Sequence, residues 1–199
     1  MAKQKYRIFE GLYTEQMPEL IKVGFKPLTI SDIMQERLNG NLSFDDSYSS
    51  VSGIAYLEDK FKVIPHSKEL EKVNPETILD NSGIKITPEE YNAIQAKDLT
   101  KKPDINFNSA LFFEQVLYHP GWNELVQDKK LLRQYSEEVF KQVKDRCGSN
   151  IAMAFALSKE NQHIPNLRAF SLCGLDKWSH ADGFNLFDYE NARLVGVKK

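Results

Sequence analysis

Ile151-Ala152-Met153-Ala154-Phe155-Ala156-Leu157 is the longest unbroken apolar run in the chain, and its reading decides the fold. Large side chains at 151, 153, 155 and 157 alternate with alanine at 152, 154 and 156. Successive side chains of a strand point to opposite faces, so the pattern suits a buried strand with one crowded and one tight face. Alanine at every second position also suits a helix, so the surrounding sequence has to decide. Leu167 to Leu172, Phe184 to Phe187 and Leu194 to Val197 are further strand-prone runs, joined by turns at Asp182-Gly183 and Asp188 to Asn191. Connections this short favour antiparallel pairing over crossover units. Residues 149–199 therefore read as a β-rich meander.

Moving upstream, residues 87–148 read as helical. Thr87-Pro88-Glu89-Glu90 places Thr at the N-cap, Pro at the first helical position and Glu at the third, and predicts a helix to about Lys97. Lys97 to Asp104 is a charged connector. Asn108 or Ser109 is expected to cap a helix carrying Leu111, Phe112, Val116 and Leu117, broken by His119-Pro120-Gly121. Asp128 starts the longest helix, to about Arg146, with Leu131, Leu132, Tyr135, Val139, Phe140 and Val143 on one stripe and Gly148 just beyond its end.

Residues 1–86 are mixed. Tyr6 to Phe9 can form a short strand. Thr14 is expected to cap a helix over Glu15 to Val23, with Pro18 in its first turn and Gly24 at its end. Thr29 and Asp32 have capping-box spacing, and Ile30, Ile33, Met34 and Leu38 line one face behind them. Asn39 to Ser50 is a polar loop. Val51 to Leu57 and Phe61 to Ile64 read as a hairpin about Glu58-Asp59-Lys60. The fold expected is a single α+β domain over 1–199: a largely antiparallel sheet of an N-terminal strand, a hairpin and a C-terminal meander, with the central helical segment packed on one face.

The chain has 199 residues, 41% of them hydrophobic, and a net charge of −2. At this length about 70% of the surface of the unfolded chain can be buried, so the core needs neither disulfides nor a metal to hold it. The composition excludes collagen-like, disordered and disulfide-scaffold proteins. Charge is spread evenly, and no block of lysine and arginine forms the basic face that phosphate binding demands. Lys129, Lys130, Arg133, Lys141, Lys144 and Arg146 share the long helix with Glu137, Glu138 and Asp145, which reads as a solvated face. Nucleic-acid binding through residues 129–146 is kept as a second alternative, and it is not favoured.

Met1 to Arg7 is charged and has no apolar core, so no signal peptide is read. The seven-residue apolar run is far too short for a bilayer span. With only two unpaired cysteines, Cys147 and Cys173, a cytoplasmic protein without a membrane partner is expected.

Phosphate-binding glycine loops, a nucleophile elbow and the paired-histidine zinc protease motif are all absent from the sequence. Cys173-Gly174 at a strand end, followed by His180 and Asp182, is the best candidate for catalysis. A thiol nucleophile needs a nearby base, and a carboxylate can orient the imidazole. His180-Ala181-Asp182 also puts two potential metal ligands on one side of an extended segment, but the set would have to be completed by His163 or His119. No metal and no cofactor is assigned. Trp178, in a polar connector, is the preferred binding anchor; Trp122, at a helical corner, is a further candidate, the alternative being that it closes that corner against the core. Glu15 to Arg37 does not match a DNA-reading helix-turn-helix, and Asp45-Asp46-Ser47 lacks the order of an EF-hand.

No family is recognised from these residues. The function expected is non-catalytic binding, in regulation or assembly, of a protein or small-molecule partner. The surface expected to carry it lies around His163, Trp178 and His180, joined by the loop 39–50. The alternative is a cysteine-dependent hydrolase or transferase using Cys173 and His180.

Overall fold

The computed structural model describes residues 6–80, 83–101, 105, 107–158, 162–175, 178–183, 187 and 192–198, with only the backbone described at 162 and 163. Two eleven-residue strands, β3 (Tyr48–Glu58) and β10 (Gln162–Leu172), pair antiparallel at its centre. The hairpin read from the sequence is β3 with β4 (Lys60–Ile64), and Glu58 takes positive φ at the turn.

The chain ends close the other side of the sheet. β1 (Tyr6–Glu10) runs antiparallel to β12 (Arg193–Lys198), which also pairs with the short β2 (Phe25–Pro27). Three further short strands, β5 (Leu79–Asp80), β6 (Gly83–Lys85) and β7 (Asp98–Thr100), extend the edges. β8 (Leu111–Phe112), β9 (Ile151–Ala156) and β11 (Ser179–Asp182) complete it. Among the described residues, twelve strands form one sheet, with the main order β1-β12-β3-β10-β11-β9-β8. The pairing is antiparallel apart from β11 with β9 and a single bridge between β12 and β3.

The alternation of side chains on β3 divides the core. Ile54 and Tyr56 face α2 (Ile30–Leu38), α5 (Pro120–Val126) and α6 (Lys129–Cys147). Val51 and Ala55 face α1 (Tyr13–Lys22), the turn at Leu70 and Tyr91 of α3 (Pro88–Ala93). The central helices α4 (Phe113–Tyr118), α5 and α6 thus pack on one face, as the α+β reading expects. No helix among the described residues is long and apolar enough to cross a membrane.

Helix boundaries follow the caps where caps were legible. Thr29 with Asp32 and Thr87 with Glu90 both form complete capping boxes, and Gly148 ends α6 in the left-handed conformation. Other expectations need correction. Leu12, not Thr14, stands at the N-cap of α1, and Thr14 is buried inside the first turn. α3 ends at Ala93 rather than near Lys97, and the connector after it holds β7. Asn108 does not cap a helix. It pins the end of β9, donating its N–H to Phe155 O (3.1 Å) and accepting from Leu157 N at 2.6 Å. Leu111 and Phe112 are strand, and α4 starts after them, with Gln115 reaching back to Phe112 N. His119-Pro120-Gly121 does break the helix, with α4 ending at Tyr118, but Pro120 also opens a further helix, α5. Phe184 to Leu186 and Asp188 to Asn191 lie outside the described residues.

An aromatic cluster centred on Phe155 welds the helices to β9. Trp122 meets the Phe155 ring edge-on at 5.7 Å, and Gly121 lies so close to it that a Cβ would stand 2.6 Å from a ring carbon. Trp122 is fully buried: of its two readings the structure gives the one in which it closes the helical corner against the core, and it presents no exposed anchor. His119 is buried as well, between Phe107 and Phe155, and Nδ1 accepts the Trp122 amide at 3.4 Å.

Burial lowers the His119 pKa to about 4. The unfolded imidazole titrates near 6.5, so between these values the unfolded chain binds the extra proton. Stability is therefore full above about pH 6.5 and falls as the pH drops toward 4, by about 3 kcal/mol from this group. Urea unfolding of His119→Asn, which keeps a cap acceptor but does not titrate, is expected to show a shallower fall than wild type across this window. Equal slopes would refute the assignment.

Candidate functional site

At one end of the sheet, β10 runs out at Leu172, and the chain returns as β11 from Ser179. The register pairs Ser171 with Asp182 and Leu172 with Ala181, and the Cys173 amide donates to the His180 carbonyl at 2.9 Å. Cys173 thus stands across from His180, and Asp182 is two residues further along the same face. The Cys173 sulfur, a His180 ring nitrogen and an Asp182 carboxylate oxygen all lie within 4.8 Å of one another. A spacing of seven and two residues needed a particular turn to converge, and the β10–β11 hairpin supplies it.

The polar loop before β3 packs onto this hairpin. Gly174 N donates to Ser47 Oγ at 3.0 Å, and Leu175 N donates to Phe44 O at 2.7 Å. A Cβ at Gly174 would collide with the Asp45 carbonyl, so only glycine permits the approach. Between loop and hairpin lies a cleft of about 390 Å³, lined by Asp45, Ser47, Cys173, Leu175, Trp178 and His180 among others. Trp178 is 43% exposed at this cleft.

Arg37 of α2 holds the loop to the hairpin from beneath, and it is only 1% exposed. Nε donates to Ser43 O (3.1 Å), and Nη1 donates to Tyr135 Oη (2.6 Å) and Cys173 O (3.4 Å). Nη2 donates to Asp46 O and to Leu172 O (3.2 Å). All five guanidinium donors are used. The rings of Phe44 and Tyr48 lie 5.8 and 5.5 Å from its carbon, adding cation–π contact. Two exposed ion pairs brace the loop from outside: Arg146 with Asp45 (2.5 Å), and Arg193 with Asp46 (2.7 Å).

The electrostatics oppose an activated thiol. Burial, with the Asp182 charge adding to it, pushes Cys173 up to about 12, against smaller lowering by the Ser47 hydrogen bond and Arg37. Burial lowers the His180 pKa, against the pull of Asp182. At neutral pH the pair is a thiol beside a neutral imidazole, not a thiolate–imidazolium pair.

Cys173, His180 and Asp182 are brought together, with Trp178 beside them, as Trp122 and His119 are not. The His163 side chain lies outside the described residues. The cations of α6 are partly engaged: Arg146 with Asp45 and Leu175 O, and Arg133 over the Phe113 ring. Arg37 is the residue that sequence reading missed. Its signal was its position: 30, 33, 34 and 37 form the buried face of α2, so a charged residue continues an apolar stripe.

A solved structure described as "Accommodation of massive sequence variation in Nanoarchaeota by the C-type lectin fold" superposes with a TM-score of 0.71, covering 99% of this chain and 99% of that chain. Sequence identity between the two is 16%, so the likeness is one of fold. No family model matches the chain, and no curated protein matches it in sequence.

Proposed function

We propose that this is a binding protein, without catalysis of its own, and that its partner docks on the cleft between the loop 43–47 and the β10–β11 hairpin. The observation that carries the reading is Trp178, an exposed aromatic beside a cleft whose walls are tied together by a fully used, buried arginine. An indole offers a large apolar area with few rotatable bonds, and a pre-ordered cleft loses little entropy when it is filled. The fold of the solved neighbour is described as accommodating massive sequence variation. A constant frame with a changeable surface is what recognition of diverse partners requires, and it supports binding over a fixed chemistry. The raised Cys173 thiol argues the same way.

The test is affinity capture from cell extract on the immobilised full chain, followed by titration of whatever is retained. Trp178→Ala is compared with wild type and with Tyr118→Ala, whose ring is 79% exposed and does not line the cleft. Trp178→Ala is expected to weaken the partner at least tenfold, about 1.4 kcal/mol, with Tyr118→Ala unchanged. A partner held equally by Trp178→Ala would overturn the reading. Iodoacetamide labelling decides against the cysteine enzyme: Cys173 is expected to resist near pH 6 until denaturant is added. Fast labelling there would replace binding by catalysis.

A further inference from the structure

We propose that Cys173, His180 and Asp182 form a binding site for a single thiophilic divalent metal ion of the zinc class, with a coordination position open to the cleft. The inference goes beyond the binding reading and does not depend on it.

Three observations carry it. The donor atoms of the three residues lie within 4.8 Å of one another. Around tetrahedral zinc, with bonds of about 2.0–2.3 Å, donors stand about 3.5 Å apart, so modest side-chain rotations complete the set. Next, the ligands stand on paired backbone rather than on a free loop. The Ser171–Asp182 and Leu172–Ala181 register and the Cys173 N to His180 O hydrogen bond fix their spacing before any ion arrives. Finally, His180 Nδ1 is buried and finds no hydrogen-bond partner among the described residues. A buried polar atom left so is costly, and a metal ion is the partner that a neutral imidazole nitrogen can take.

The donor set selects the metal. Thiolate and imidazole favour zinc, cobalt and their neighbours, whereas calcium and magnesium require oxygen ligands. One thiolate and one carboxylate make a divalent site formally neutral. Binding transfers the Cys173 thiol proton to solvent as the sulfur–metal bond forms. Three protein ligands are one short of a closed structural site, and both Cys173 and His180 line the cleft, so the remaining position faces the space where a partner's oxygen or nitrogen would enter.

The experiment is Co²⁺ titration of the chelator-treated full chain, followed by Zn²⁺ back-titration in a calorimeter. Wild type is expected to bind one ion per chain, with a thiolate-to-cobalt band in the near ultraviolet, tetrahedral ligand-field bands in the visible, and displacement by Zn²⁺. Cys147→Ser removes the other, exposed thiol and is expected to change nothing. Cys173→Ser should lose the thiolate band, and Asp182→Asn should keep it with at least tenfold weaker binding. Circular dichroism checks that each variant is folded, and Asp182→Asn decides alone if Cys173→Ser is not. Absence of one-to-one uptake by wild type, or a thiolate band that follows Cys147 instead of Cys173, overturns the site. So does unchanged affinity in Asp182→Asn.

Discussion

Arg37→Met is expected to destabilise the protein by about 3 kcal/mol in urea unfolding and to release the loop 43–47 into fast backbone hydrogen exchange. The guanidinium bonds carbonyls of Ser43 and Asp46 on one side and of Leu172 and Cys173 on the other, with the Tyr135 hydroxyl as fifth acceptor. Methionine matches the stem but leaves buried acceptors unsatisfied, each with a desolvation cost of about 1–3 kcal/mol that partial water entry reduces. Arg37→Lys separates charge from geometry. An ammonium has three donors on a point charge and cannot span five acceptors in a planar fork, so it should recover only part of the loss. Full recovery by lysine would mean that charge alone matters. A loss under about 0.5 kcal/mol in Arg37→Met, the size of an ordinary surface change, would remove Arg37 from the account.

Trp122→Ala is expected to cost more, about 3–5 kcal/mol, because it empties the largest fully buried side chain in the molecule. The cavity opens beside Phe155, on which α5 rests through Gly121. For a chain of this size the loss corresponds to a drop in Tm of about 10 °C. Trp122→Phe keeps an aromatic ring at the Phe155 contact and should cost much less. Partner binding per folded molecule should be unchanged in either variant. A stable Trp122→Ala that loses partner binding would restore the interface role the structure has denied it.

Much of the frame was legible because it is written in local chemistry. Thr29 with Asp32, Thr87 with Glu90 and Asp128 satisfy helix-end amides with their own side chains, so the signal lies within a few residues. The apolar runs of β3, β4, β9, β10 and β12 carry enough hydrophobicity to be read as strands. β11 carries none. Its inward residues are Ser179 and Ala181, both fully buried, and its other positions are His180 and Asp182. A period of two was present in Ser-His-Ala-Asp, but without large apolar groups it read as a connector. The same gap hid how the site is assembled. Residue types and spacing named Cys173, His180 and Asp182, whereas their convergence depends on a strand that hydropathy does not mark. For Trp122 the sequence left two readings open, an exposed anchor or a residue closing the corner against the core. A tryptophan after His-Pro-Gly reads as a turn residue until Gly121 is seen to let the next helix lie directly on Phe155.

The central claim is that the loop 43–47 and the β10–β11 hairpin form one recognition surface. Hydrogen–deuterium exchange of the full chain, with and without its captured partner, tests it most directly. The account expects added protection in residues 43–47 and 173–180, with α4 to α6 unchanged outside the segment near Arg146. Protection confined to the outer face of α4 to α6, with the loop and hairpin exchanging as before, would contradict it.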